Sequence, residues 1–175
     1  GHAKGTIRDY IEAALEKGLS VIGISDHSPY FAHELDHPFP NIAMSRQAFA
    51  SYVEEVLSLQ AEYRGRIDVL LGIESDFFPE GVEIYRNYYQ SYPFDYIIGS
   101  VHFTNGVSIF KKARWEGLSD EQFVSEKETY YDLIRESAKS GLFQIIGHAD
   151  AIKRYYPAFS DLPSPKVEEA IRVIG

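Results

Sequence analysis

The chain has 175 residues, 45% hydrophobic and 25% charged, a composition typical of a globular domain. Its formal net charge of −9 argues against a nucleic-acid partner, since neutralising phosphates requires clustered Lys and Arg. The chain has no cysteine, which excludes disulfides and cysteine-bound zinc, and no apolar run approaches the ~18 residues that span a bilayer. We therefore expect a cytoplasmic protein without a membrane partner, in which a bound cation would allow a small anionic substrate.

Helices and buried strands alternate along the predicted chain. Apolar residues at helical spacing and a Thr6–Asp9 capping box predict a first helix that ends at Gly18, and a strand from Val21 follows it. Ser119 and Gln122 form a second capping box, and Ser164 with the proline after it predicts a last helix. The other expected elements are helices over 45–64 and after Glu80, and strands over 67–73, 94–101 and 142–146.

This alternation of apolar strands with amphipathic helices predicts a parallel sheet covered by helices in one domain, residues 1–175. Four strand–helix units are too few to close a barrel of about eight strands, which leaves an open doubly wound sheet as the other arrangement. No G-x-G-x-x-G or Walker pattern follows a strand, so a nucleotide-binding function has no support.

Each of the four predicted strands ends near a side chain that can bind a metal: His27, Glu74, His102 and His148. In parallel α/β folds, functional groups collect at the C-terminal ends of the strands. One histidine at a strand end is usually an ordinary loop residue, but four donors in equivalent positions favour a metal site.

The surrounding carboxylates fit the same interpretation. Asp26, Asp76 and Asp150 lie within two residues of these donors and could accept hydrogen bonds from ligand imidazoles. Imidazole and carboxylate together suit Zn, Mn or Fe, whereas calcium prefers oxygen alone. Because a carboxylate can bridge two cations, Glu74 indicates a hydrolase with more than one metal ion.

Five short motifs, in order along the chain, resemble those of the PHP (polymerase and histidinol phosphatase) superfamily, and most of all its histidinol-phosphate phosphatases: GHAKG, SDHSP, GIESDF, GSVHF and GHADAIK. The resemblance implies a distorted TIM-like barrel of seven β/α units, with up to three divalent cations at one end. By match of motif, His2 and His27 would bind one cation and Glu74 would bridge two others. His102 and His148 would complete the ligands of one bridged ion, and a metal-bound hydroxide would be the attacking group.

The family's first His-x-His and its late Asp-x-His are both absent from these 175 residues. We expect them outside the chain, which would then lack the first strand and the C-terminal strands of the barrel. The 175 residues alone are expected to bind metal weakly and to be inactive.

The resemblance implies hydrolysis of a phosphate monoester, L-histidinol phosphate to L-histidinol and phosphate, in histidine biosynthesis. Lys153 and Arg154 follow His148 closely enough to bind the substrate phosphate, and solvated surface charges are the alternative for both. Two further functions remain open: a PHP phosphoesterase for another small ester or a nucleotide, and a PHP module attached to a DNA polymerase.

Overall fold

The computed structural model describes residues 3–36, 39–155 and 161–175. Within these ranges, no helix is both long enough and apolar enough to cross a bilayer. In chain order the helices and strands are α1 (Ile7–Glu16), β1 (Val21–Ile24), α2 (Arg46–Glu62), β2 (Asp68–Asp76), α3 (Val82–Tyr89), β3 (Tyr96–Ser100), β4 (Phe103–Thr104), β5 (Val107–Ser108), α4 (Asp120–Lys139), β6 (Ile145–Ile146) and α5 (Pro165–Ile174). Short 3₁₀ turns cover Pro79–Gly81, Lys112–Trp115 and Ala151–Arg154.

The predicted helix starts are confirmed by their capping contacts. Thr6 and Asp9 form a reciprocal capping box at the start of α1, and Ser119 and Gln122 form another at the start of α4. Ser164 caps α5, with a proline in its first turn. These side chains satisfy backbone N–H groups that would otherwise have no partner in the first turn, so the sequence defines where each helix begins.

Four strands form one sheet in the order β1-β2-β3-β6. β1 pairs with β2 in parallel along its whole length. Asp95 N–H, just before β3, donates to Leu71 O on β2, and Gly147 N–H, just after β6, donates to Gly99 O on β3. The predicted α/β fold with a parallel sheet and helices is confirmed. Closure into a seven-stranded barrel stays a prediction.

The chain divides into two compact units, each with a buried core. The first comprises Gly1–Ser75 and Glu80–Ile98, and the second Asp76–Pro79 and Gly99–Gly175. In the first, Val56 of α2 and Leu71 of β2 are fully buried, and in the second Tyr130 and Ile134 of α4 are fully buried. The assignment of residues 1–175 to a single domain stays a prediction.

The β4–β5 hairpin is an element that the sequence analysis missed. Its strands pair antiparallel and are joined by Asn105 and Gly106, both with positive φ (52° and 71°), as a type I′ turn requires. Asn-Gly is a strong hairpin signal, but strands of two residues are too short to show an alternating pattern. β6 is also shorter than the predicted 142–146, and the ring of Phe143, just before it, packs on Gly99 of β3.

Candidate metal centre

In the first compact unit, two predicted ligands lie side by side. The pairing of β1 with β2 stops at Ile24 and resumes as a single parallel bridge between His27 and Glu74. Glu74 N–H donates to Asp26 O (2.9 Å), and Ser28 N–H donates to Glu74 O (2.8 Å). His27 Nε2 and Glu74 Oε2 are 3.9 Å apart, and only 11% and 19% of the two side chains are exposed. This distance is too long for a hydrogen bond, but two ligands of one ion can be up to about 4.2 Å apart.

In the second compact unit, a carboxylate and two imidazoles form a row. Asp76 Oδ1 lies 2.9 Å from His102 Nδ1, and both side chains are buried. The other nitrogen of that ring, His102 Nε2, lies 3.2 Å from His148 Nε2. The backbone oxygen of His148 accepts hydrogen bonds from Ala151 N–H (2.9 Å) and the Tyr130 hydroxyl (3.3 Å), which hold the exposed His148 in place.

The two nitrogens of the His102 ring have different neighbours. Asp76 Oδ1 lies beside Nδ1, so Nε2 is the ring nitrogen that faces His148 and is available to a metal. Two nitrogens that bind one tetrahedral zinc at about 2.0–2.1 Å are about 3.3 Å apart. The observed 3.2 Å to His148 matches this spacing, and it equally fits a hydrogen bond between the two rings. The residues therefore fit a divalent cation.

The structure places the carboxylates predicted to support the ligands in different roles. Asp26 Oδ1 accepts a hydrogen bond from the backbone N–H of His27 (2.8 Å). Asp150 Oδ2 lies 3.2 Å from the ammonium group of the lysine three residues later. Asp76 contacts the imidazole of His102, a candidate ligand, in the second unit. His2 lies outside the described residues, so its role as a ligand stays a prediction, as do those of Asp26 and Asp150.

The two predicted phosphate-binding side chains have different surroundings. Lys153 pairs with the carboxylate of Asp150, and half of the lysine side chain is exposed. The Arg154 guanidinium lies over the rings of Phe110 (5.6 Å) and Tyr155 (5.4 Å). The Phe110 ring is in turn 5.5 Å from the His102 ring. The Phe110 ring thus lies between Arg154 and the candidate ligand His102. Binding of phosphate by Lys153 or Arg154 stays a prediction.

Sequence reasoning missed two contacts near the ligands. Tyr52 lies within the predicted helix over 45–64, and its hydroxyl bonds to the backbone of β1 and β2. The available signal was chemical, since a buried tyrosine hydroxyl needs a partner. Arg114 connects the hairpin after His102 to Glu126 of α4. Because the hairpin itself was not predicted, this contact could not be predicted either.

Comparison with known families identifies the chain. The PHP domain matches all of residues 1–175. The chain belongs to the PHP domain family. The resemblance seen in the five motifs is therefore confirmed.

Relatives of this PHP domain are named as histidinol-phosphatases. A probable histidinol-phosphatase of Deinococcus radiodurans is 36% identical over 164 residues, covering 89% of this chain and 58% of the relative. One of Schizosaccharomyces pombe is 30% identical over 171 residues, covering 89% of this chain and 54% of the relative. The chain thus spans a little over half the length of these relatives.

A solved structure shares the fold of this PHP domain. Histidinol phosphate phosphatase from Lactococcus lactis, in complex with zinc, L-histidinol and phosphate, matches with a TM-score of 0.72 at 18% identity. The match covers 99% of this chain and 63% of that chain. At this identity, the likeness shows the fold.

Proposed function

We propose that this PHP domain hydrolyses a phosphate monoester with the help of divalent cations. The proposed substrate is L-histidinol phosphate, which would place the reaction in histidine biosynthesis. The names of the relatives and the zinc, L-histidinol and phosphate bound to the Lactococcus protein support this substrate. The observation that carries the metal dependence is the row of Asp76, His102 and His148, whose spacing suits two imidazole ligands of one ion.

We propose His27, Glu74, His102 and His148, together with His2, as ligands of up to three cations of Zn, Mn or Fe. Glu74 and Asp76 are separated by one residue on β2, and alternate side chains of a strand lie on the same face. This alternation supports assigning both carboxylates of β2 to metal chemistry. Zinc is the ion present in the Lactococcus structure, and the number and identity of the ions in this protein are part of the proposal.

Bound divalent cations would polarise the phosphoryl group and lower the pKa of coordinated water towards neutrality. Glu74 would supply a carboxylate with two oxygens, which suits the bridging position between two cations. Asp76 would keep Nδ1 of His102 protonated, so that the ring presents Nε2 to the centre. The low exposure of His27 and Glu74 would exclude bulk water and strengthen their electrostatic attraction to cations.

We propose Arg154 as the better candidate of the two cations for the substrate phosphate. A guanidinium donates two parallel hydrogen bonds to phosphate oxygens. The aromatic rings of Phe110 and Tyr155 limit the orientations of Arg154 before substrate binds. Lys153 would first have to leave its contact with Asp150.

Two other functions are weaker for specific reasons. The formal net charge of −9 disfavours direct contact with DNA, which counts against a module that serves a polymerase. A cytoplasmic location remains part of the enzymatic proposal. A phosphoesterase for another small ester or a nucleotide would use the same metal ligands, so only substrate kinetics separates it from a histidinol-phosphatase.

The test compares the natural gene product with Glu74→Gln and His102→Ala variants. Bound Zn, Mn and Fe are quantified by mass spectrometry, and kcat/KM is measured for L-histidinol phosphate, glycerol phosphate and AMP. We expect both variants to bind less metal and to lose kcat/KM by about 100-fold or more, since each removes a proposed ligand. Glu83→Gln, at an exposed position of α3, is the matched control and should stay near wild type.

Equal kcat/KM for all three esters would remove L-histidinol phosphate as the substrate and leave a general phosphoesterase. Wild-type activity and metal content in both ligand variants would contradict the metal centre itself.

A further inference from the structure

The hydrogen-bond ladder between β1 and β2 opens just before the His27–Glu74 bridge, and the hydroxyl of Tyr52 fills the opening. Tyr52 lies on α2 and is 8% exposed. Its hydroxyl is 2.7 Å from Gly72 O and 3.0 Å from Ile24 O, and it lies 3.4 Å from the Asp26 N–H. One side chain therefore contacts the backbone of both strands at the point where their direct pairing stops.

The chemistry of a phenol suits this position. Burial raises the pKa of the Tyr52 hydroxyl well above its ordinary value, so the group keeps its proton near neutral pH. A single proton can be donated to one carbonyl at a time, and Gly72 O is the closer acceptor. The oxygen can accept the Asp26 N–H at the same time. Tyr52 thus joins the backbone group before His27 to the strand that carries Glu74.

A second tyrosine packs against the same strand ends. The Tyr96 ring occupies the space above Gly23 of β1 and Gly72 of β2, where any Cβ atom would overlap it. The hydroxyl of Tyr96 is hydrogen-bonded to the side chain of Ser25, in the open part of the ladder. The segment between β1 and His27 is therefore held by two hydroxyl groups.

We propose that Tyr52 is a positioning residue for the ligands His27 and Glu74: its hydroxyl fixes the spacing of the two strand ends that carry them. Without it, the Gly72 carbonyl would lose a donor, and Asp26 would lose the acceptor of its backbone N–H. The inference rests on the proposed function, because it assumes that His27 and Glu74 bind metal.

The test compares Tyr52→Phe with Tyr63→Phe in the natural gene product. Tyr63 follows α2, is fully buried, and its hydroxyl bonds to Glu12 and Arg8, so the control also removes a buried hydroxyl. We expect the amide hydrogens of Asp26 and Glu74 in metal-free Y52F to exchange about fivefold faster or more. We expect its Mn²⁺ affinity to fall about 10-fold, as when other supporting partners of metal ligands are removed.

A Co²⁺-substituted sample supplies a spectroscopic measurement that overall stability does not move: the visible absorption bands should change in Y52F and remain as in wild type in Y63F. Wild-type Mn²⁺ affinity and amide exchange in Y52F would overturn the role of Tyr52, as would an equal loss of affinity in Y63F.

If Y52F does not fold, Tyr96→Phe removes the other hydroxyl and should weaken Mn²⁺ binding in the same direction. Unchanged affinity there would also overturn the proposal. A wild-type protein that binds none of Mn²⁺, Zn²⁺ and Fe²⁺ would instead overturn the proposed function.

Discussion

A single carboxylate–imidazole contact, between Asp76 and His102, distinguishes the two acids at the end of β2. Asp76 is separated by one residue from Glu74 on β2, yet their proposed roles differ, since one supports a ligand ring and the other binds cations. The structure distinguishes them by contact: the oxygen of Asp76 is 2.9 Å from an imidazole nitrogen within the second unit. Two acids two positions apart on one strand therefore have different surroundings.

Asp76→Asn tests this difference. An amide is a weaker acceptor than a carboxylate and can present its NH₂ group to Nδ1, which would shift the His102 proton to Nε2. We expect the Zn²⁺ or Mn²⁺ affinity to fall about 10–100-fold, measured by calorimetric titration. Asp68→Asn, at the exposed start of the same strand, is the matched control and should leave the affinity unchanged. An affinity equal to wild type in D76N would show that Asp76 does not support a metal ligand.

The β4–β5 hairpin shows how a small element is stabilised by a polar network. The Arg114 guanidinium donates to Thr104 Oγ1, to Val107 O and to the Glu126 carboxylate of α4. Thr104 Oγ1 also donates to Glu126. Arg114 is only 9% exposed at its side chain, so this ion pair is shielded from water.

Glu126→Ala should lower the free energy of unfolding by about 2–4 kcal/mol, because it leaves a mostly buried guanidinium and a buried hydroxyl without their acceptor. Chemical denaturation monitored by circular dichroism measures the change. Glu83→Ala removes an exposed partner of Arg86 on α3, and it should cost under about 0.5 kcal/mol. Similar losses in the two variants would mean that the network around Arg114 contributes no more than a surface ion pair.

The elements differed in how well the sequence predicted them. Helices α1 and α4 were predictable because their capping residues satisfy local backbone groups, and local contacts depend on nearby sequence alone. The hairpin was missed because its two-residue strands show no alternating pattern, and the contact of Arg114 with Glu126 that supports it depends on the fold. The same holds for Tyr52. The sequence predicted the helix that contains it, but not its contacts with the carbonyls of Ile24 and Gly72.

At the scale of the whole molecule, the proposed ligands come from strands that are far apart in the chain, from His27 to His148. The sequence pointed to these residues as candidates because each lies close to the C-terminal end of an apolar strand, and parallel strands share a direction. It did not indicate distances, ring protonation or which acid contacts which imidazole, because these depend on packing between distant segments.

Removing metal should therefore destabilise the natural gene product. Any ion that binds only the folded state stabilises it, by about 2.7 kcal/mol when the free ion is at 100 times its Kd. For a protein of this size we expect treatment with a chelator to lower the Tm by about 5–10 °C, measured by calorimetry, and added Zn²⁺ or Mn²⁺ to restore it. The Tm of His102→Ala should respond much less. An unchanged Tm on chelation, in a protein shown to have lost its metal, would contradict a link between metal binding and folding.

The packing of Tyr96 over Gly23 and Gly72 also constrains how this protein can evolve. Alanine at either glycine would collide with the aromatic ring, whereas a smaller residue at position 96 would leave a hole above both strands. Substitutions at the three positions are consequently non-additive: one that is harmful alone becomes acceptable only after another has occurred. Because of this epistasis, a single substitution at Gly23, Gly72 or Tyr96 should destabilise the fold, whatever reaction the protein catalyses.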